Sequence, residues 1–99
     1  MIVVAGTVTF DGRNQEAVVA AANTVAEHSR REEGCLFYEF FADLNQPGRM
    51  LVFEEWETDA ALEAHLATDH LAAFRSALAA AGATGRDINR YVVSSHGPN

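Results

Sequence analysis

The stretch from Cys35 to Glu57 alternates with the two-residue period of β-structure, yet both of its faces are apolar. Two runs, Cys35 to Asp43 and Arg49 to Glu57, flank Leu44-Asn45-Gln46-Pro47-Gly48, a cluster with turn chemistry, so they read as a hairpin. In the first run Leu36, Tyr38 and Phe40 share one side, and Cys35, Phe37 and Phe41 the other. In the second, Met50, Val52 and Trp56 oppose Leu51 and Phe53. Helices in a chain of 99 residues can cover one face of such a sheet. The other face calls for a second subunit, an enclosed ligand, or both.

The remaining periodicities complete the pattern. Ile2 to Phe10 alternates and is rich in β-branched residues, with Ile2, Val4, Gly6, Val8 and Phe10 on one face, and Asp11-Gly12 turns the chain. From Asn14 to Glu33 the period becomes helical. Val18, Ala22, Val25 and Ser29 form the inward stripe, Asn14 is placed to cap, and Gly34 to terminate. Thr58 or Asp59 caps a second helix with Leu62 and Leu66 inward, and Thr68-Asp69 offers a fresh cap before Leu71, Phe74 and Leu78. Gly82 to Gly85 closes the helix, Ile88 to Val93 alternates as a last strand, and residues 94–99 form a polar tail. The order β-α-β-β-α-β is the ferredoxin-like α+β pattern, in a single domain over residues 1–99.

Charge narrows the partners. Fourteen acidic against seven basic residues leave a net charge of -7, with no basic stripe, which disfavours nucleic acid and anionic membranes. Met1 to Phe10 lacks the basic start of a signal peptide, and Leu71 to Ala83, interrupted by Arg75, falls short of the ~20 residues a membrane span needs. Cys35 is the only cysteine, which fits a reducing cytoplasm and a packing role for the thiol. Gly82-Ala83-Thr84-Gly85 follows a helix instead of preceding one, so it is a connector, and no dinucleotide or flavin fingerprint is present.

Two stretches carry a family resemblance. One is Glu32-Glu33-Gly34-Cys35-Leu36-Phe37-Tyr38. The other runs Val52-Phe53-Glu54-Glu55-Trp56-Glu57, then Leu62-Glu63-Ala64-His65-Leu66, to His70 and Phe74. A Gly and a small residue before an aromatic strand, Glu-x-Trp, and His-x(4)-His-x(3)-Phe together resemble the antibiotic-biosynthesis-monooxygenase family, and among its members the bacterial quinol monooxygenases. The resemblance implies homodimers of the dimeric α/β-barrel type, with a pocket between sheet and helices. For some members it implies oxygenation of phenols or quinols by O2 without flavin, metal or haem. Other members degrade haem, isomerise a phosphorylated sugar or have no assigned activity, so the fold alone does not decide function.

The chain also departs from the family's patterns. The polyketide-oxidising members place an Asn and a Tyr where Val52 and Leu62 stand here. The haem-degrading members use a strand Asn and a late helical His; this chain has Thr7 in its first strand, and Arg75 is near the helical position. The expectation is therefore no cofactor.

The residues themselves supply the candidates. His65 flanks the inward stripe of its helix and His70 opens the next segment; each is either a half-buried structural residue or a general acid or base on a pocket. Five positions apart, they stand about 140° apart on an ideal helix, and a shared metal would need the break between them to realign the rings, so no metal is expected. His28 and His96 read as solvent-facing. Trp56, Tyr38, Phe53 and Phe74 are core residues or pocket walls for a flat aromatic substrate. Glu54 shares a face with Val52 and Trp56; the expectation is a pair with Arg90 or Arg49, the alternative a raised pKa in the pocket. The functional expectation is a cofactor-free monooxygenase acting on a small electron-rich aromatic. The alternatives are a small-molecule-binding or accessory dimer, and an isomerase of a sugar-derived ligand, for which the chain offers few cations.

Overall fold

The computed structural model describes residues Met1–Asn99. Strand β1 spans Ile2–Thr9, helix α1 Gln15–Ser29, β2 Cys35–Ala42, β3 Arg49–Trp56, α2 Asp59–Leu66, α3 Asp69–Ala80 and β4 Gly85–Val92. All strand pairs are antiparallel, in the order β2-β3-β1-β4. This is the ferredoxin-like α+β fold, its second helix delivered in two pieces.

Each break has a local cause. A one-turn 3-10 helix at Gly12–Asn14 follows β1, and Asp11, not Asn14, caps it, accepting from the Arg13 N–H. Asn14 makes no cap bond; its amide instead donates to the Ala81 carbonyl at 3.1 Å and ties the start of α1 to the end of α3. Helix α1 stops at Ser29, four residues before the expected Glu33, and Gly34 turns the chain with φ +83°, a left-handed conformation that suits glycine. Thr58 caps α2 by accepting from the Ala61 N–H, and Thr68 caps α3 by accepting from the Leu71 N–H. The Thr68 cap separates α2 from α3, which sets the direction of every side chain beyond it.

The helices lie on one face of the sheet. Ile2, Val8, Phe10, Tyr38, Met50, Val52 and Trp56 meet Val18, Ala22, Val25, Leu62, Leu71 and Phe74 there, and Trp56 is fully enclosed. Removing an aromatic from such a site typically costs about 3–5 kcal/mol. A register shift between Cys35 and Phe37 corrects the simple alternation of β2. Cys35 pairs with Trp56 and packs on the core, while Leu36, expected beside Tyr38, is 52% exposed.

The opposite face has no helix over it. Leu36, Phe41, Leu51 and Tyr91 are among its exposed large apolar side chains. No helix of the chain is long and apolar enough to cross a membrane.

Gly6 lets β1 and β4 approach closely. A Cβ there would lie 2.0 Å from the Asp87 carbonyl oxygen and 2.5 Å from the Ile88 Cα. Its smallness therefore positions β4 and the residues that strand presents to the helices.

Candidate functional site

Between the sheet and α2/α3 lies a cavity of about 430 Å³, in the range used by small-molecule sites. Val4, Val8, Phe40, Val52, Leu71 and Phe74 supply apolar wall, and Tyr38, Glu54 and His65 supply the inner polar groups. Arg75, Arg86, Asn89 and Arg90 add polar groups toward α3 and β4.

The central constellation joins three elements. Glu32 leaves the turn after α1, His65 comes from α2 and His70 from the first turn of α3. One carboxylate oxygen, Glu32 Oε2, lies 2.7 Å from His65 Nδ1 and 2.8 Å from His70 Nε2. A carboxylate only accepts, so both ring nitrogens donate to it. This fixes His65 as the Nδ1–H tautomer, and its Nε2, which makes no bond to the protein, carries the lone pair. The His65 ring packs between Trp56 and Tyr38, with centroids at 4.8 and 5.2 Å. Burial pushes the His65 pKa down, against the opposing effect of Glu32, and thereby favours the neutral base.

His70 plays a different part. It is absent from the cavity wall, and the exposed His28 stacks on it at 5.4 Å with an 18° angle between rings. His70, with His28 stacked on it, shares with His65 the same oxygen of Glu32. His28, expected to face only water, therefore also has a packing role.

Glu54 corrects the expected ion pair. Arg90 bonds Asp59 and Glu63, and Arg49 bonds Asp43, so neither reaches Glu54. The Glu54 Oε1 instead accepts from the Trp56 indole N–H at 2.9 Å. Burial, with a smaller contribution from the nearby Glu32 charge, raises its pKa to about 7, against the lowering effects of the indole bond and Arg86.

The other expected wall residues divide. Tyr38 and Phe74 line the cavity. Trp56 lies beneath it, holding Glu54 and His65. Phe53 points to the opposite sheet face, where its ring meets Phe37 edge-on at 5.9 Å, so it takes no part in this cavity. Burial lifts the Tyr38 hydroxyl far above its ordinary pKa and the Cys35 thiol to about 11, so neither is a ready nucleophile.

The break between α2 and α3 also removes the 140° separation that one continuous helix would impose. Donor atoms of Glu32, His65 and His70 all lie within 4.8 Å of one another, close enough for a single divalent ion. The same Glu32 oxygen lies within hydrogen-bond distance of both rings. Glu32 itself was no candidate in the sequence, because its partners His65 and His70 lie 33 and 38 positions away. Its place in the Glu-Glu-Gly segment of the family resemblance was the available signal.

The family model described as antibiotic biosynthesis monooxygenase matches residues 1–77, and the chain belongs to that family. A crystal structure of a Deinococcus radiodurans protein assigned to the same family superposes with a TM-score of 0.93 at 27% identity, covering 100% of this chain and 98% of that one. A Bacillus subtilis protein named "Putative monooxygenase YcnE" is 28% identical over 74 residues, covering 75% of this chain and 78% of the relative. An uncharacterized Synechocystis protein is 37% identical over 73 residues, which are 74% of this chain and 50% of that longer relative. Strand β4 and the end of α3 lie beyond the family match.

Proposed function

We propose that the chain is a cofactor-independent monooxygenase that oxidises a small electron-rich phenol or hydroquinone with O2, and that it works as a homodimer. The observation that carries this reading is the Glu32–His65 pair at 2.7 Å, which leaves an unbonded imidazole nitrogen for an apolar cavity. Carboxylate-backed imidazole is an oriented general base.

The chemistry asks little more of the protein. His65 Nε2 takes the phenolic proton, and the apolar wall keeps the resulting anion from water. The electron-rich ring passes an electron to O2, and the radical pair combines to form a carbon–oxygen bond at a ring carbon that bears hydrogen, para to the ionised oxygen in a phenol and ortho to it in a hydroquinone. The imidazolium returns its proton to the peroxide, and loss of the carbon-bound proton to the freed imidazole then breaks the O–O bond. The product is a quinone, and water leaves with the proton returned by the imidazolium. A hydroxyarene and O2 thus give a quinone and one water, with every electron supplied by the substrate. Tyr38 and Phe74 are ring contacts, Glu54 is a hydrogen-bonding group near the reacting oxygens, and Trp56 and His70 are positioning residues.

The homodimer rests on the apolar outer face, where the cross-strand partners Phe41 and Leu51 are 44% and 40% exposed and Phe37 packs on Phe53 farther along the strands. A second copy related by a two-fold axis presents the same patch to itself. The catalytic reading is tested by oxygen uptake from purified, metal-free and flavin-free protein across hydroquinones and naphthols, with one O2 consumed and one oxygen atom gained per quinone formed and no hydrogen peroxide released. A binding-only dimer is the second reading, favoured by Val52 and Leu62 at positions that are polar in the polyketide-oxidising members. It requires saturable binding with no oxygen uptake.

A further inference from the structure

The cationic side of the cavity defines its ligand more closely. The chain has seven arginines and no lysine against 14 acidic residues, so an arginine without an acidic partner runs against its composition. Five have one: Arg13 pairs with Asp11, Arg30 with Glu39, Arg31 with Glu27, Arg49 with Asp43, and Arg90 with Asp59 and Glu63. Arg75 and Arg86 form neither an ion pair nor a side-chain hydrogen bond, and both line the same cavity.

Their elements explain why they stay free. Arg75 lies on α3, where the positions three and four residues away are Leu71, Ala72, Leu78 and Ala79, so no neighbouring turn offers an acid. Arg86 on β4 stands across from Val8. The two come from different elements, one on the helical wall and one on the sheet wall, and they face the same space. Their charges act on its inner polar groups, Arg75 on His65 and Arg86 on Glu54.

From this arrangement we infer that the ligand is an aromatic acid: a hydroxylated ring that fills the apolar cavity and carries a carboxylate held by Arg75 and Arg86. Guanidinium groups meet carboxylates with paired hydrogen bonds. The charge of -7 repels anions at long range, so a local reversal of potential at the cavity selects where an acid can bind. The inference rests on the reading that the cavity takes an aromatic substrate, and it adds the substrate's charge.

The test uses 1-naphthol and 1-hydroxy-2-naphthoate, which differ only in the carboxylate and need no turnover. Binding is followed by calorimetry for the wild-type protein and for Arg75→Gln and Arg86→Gln, exposed positions whose change leaves the core intact. The acid should bind about tenfold more tightly than the naphthol and weaken with added salt. Each substitution should weaken the acid about fivefold to tenfold and leave the naphthol unchanged. Equal binding of both compounds, or acid binding indifferent to both substitutions, overturns the inference and leaves the aromatic cavity standing. Binding of neither overturns both. An acid preference without oxygen uptake retains this inference and removes the oxygenase.

Discussion

Glu32 and His65, 33 positions apart in the chain, meet through a 2.7 Å bond between a carboxylate oxygen and Nδ1 of a buried imidazole. That bond orients the ring and sets its tautomer, so it divides the labour between the two histidines. Glu32→Gln keeps an acceptor and removes the charge. The expected result is a fall in kcat of about 10–100-fold with KM little changed, measured as initial oxygen consumption.

His70→Asn should behave differently. Losing the second bond to Glu32 loosens the carboxylate without touching the base, so turnover should fall by less than about tenfold while the melting temperature drops. Thermal melts and rates normalised to folded protein check this. A loss in His70→Asn equal to that in His65→Asn would mean both rings take part in chemistry.

The pH dependence of stability should carry the signature of Glu54. Its folded pKa of about 7 lies above the ordinary 4.5, so between those values the folded state holds a proton that the unfolded state releases. This contribution to stability is complete below pH 4.5 and is lost as pH rises through 7. Glu54→Gln should remove that loss, worth on the order of 2–3 kcal/mol, and make the variant relatively more stable at pH 8 than at pH 5. Denaturant melts at the two values give the difference directly. Identical slopes for variant and wild type would mean that Glu54 is ionised in the fold.

Gly6→Ala should weaken the β1–β4 pair, because the added carbon meets backbone and no side chain can swing away. A loss of about 2 kcal/mol or more is expected, together with impaired ligand binding as β4 shifts Arg86 and Ile88.

On the open sheet face, Leu51→Arg sets a charge in the proposed two-fold contact. Sedimentation at micromolar concentration should find a dimer for the wild type and a monomer for the variant, with no loss of secondary structure. A monomeric wild type would remove the homodimer from the account.

Much of this architecture was legible in the sequence. Period-two alternation marked the hairpin and β1, the Val18-Ala22-Val25-Ser29 stripe marked the buried face of α1, and Thr58, Thr68 and Gly34 end or begin elements where their chemistry suits. Strand parity already set Phe53 opposite Trp56, although both were candidate walls. The irregularities were hidden. No local signal announced the bulge that exchanges Leu36 for Cys35, and Glu32 sat inside a charge run whose partner residues lie more than thirty positions away. Arg90 and Arg49 find nearer acids, so Glu54 turns to the indole of Trp56, a choice that depends on tertiary distance.

The most direct test of the central claim is oxygen uptake by wild-type and His65→Asn protein, free of metal and flavin, with a hydroxyarene that binds both. General-base help of the usual size is about 10²–10⁴-fold, so the substitution should lower turnover per folded molecule by that factor while the ligand still binds. Unchanged turnover in folded His65→Asn would contradict the account, leaving the Glu32–His65 pair a support for α2 and the cavity without its base.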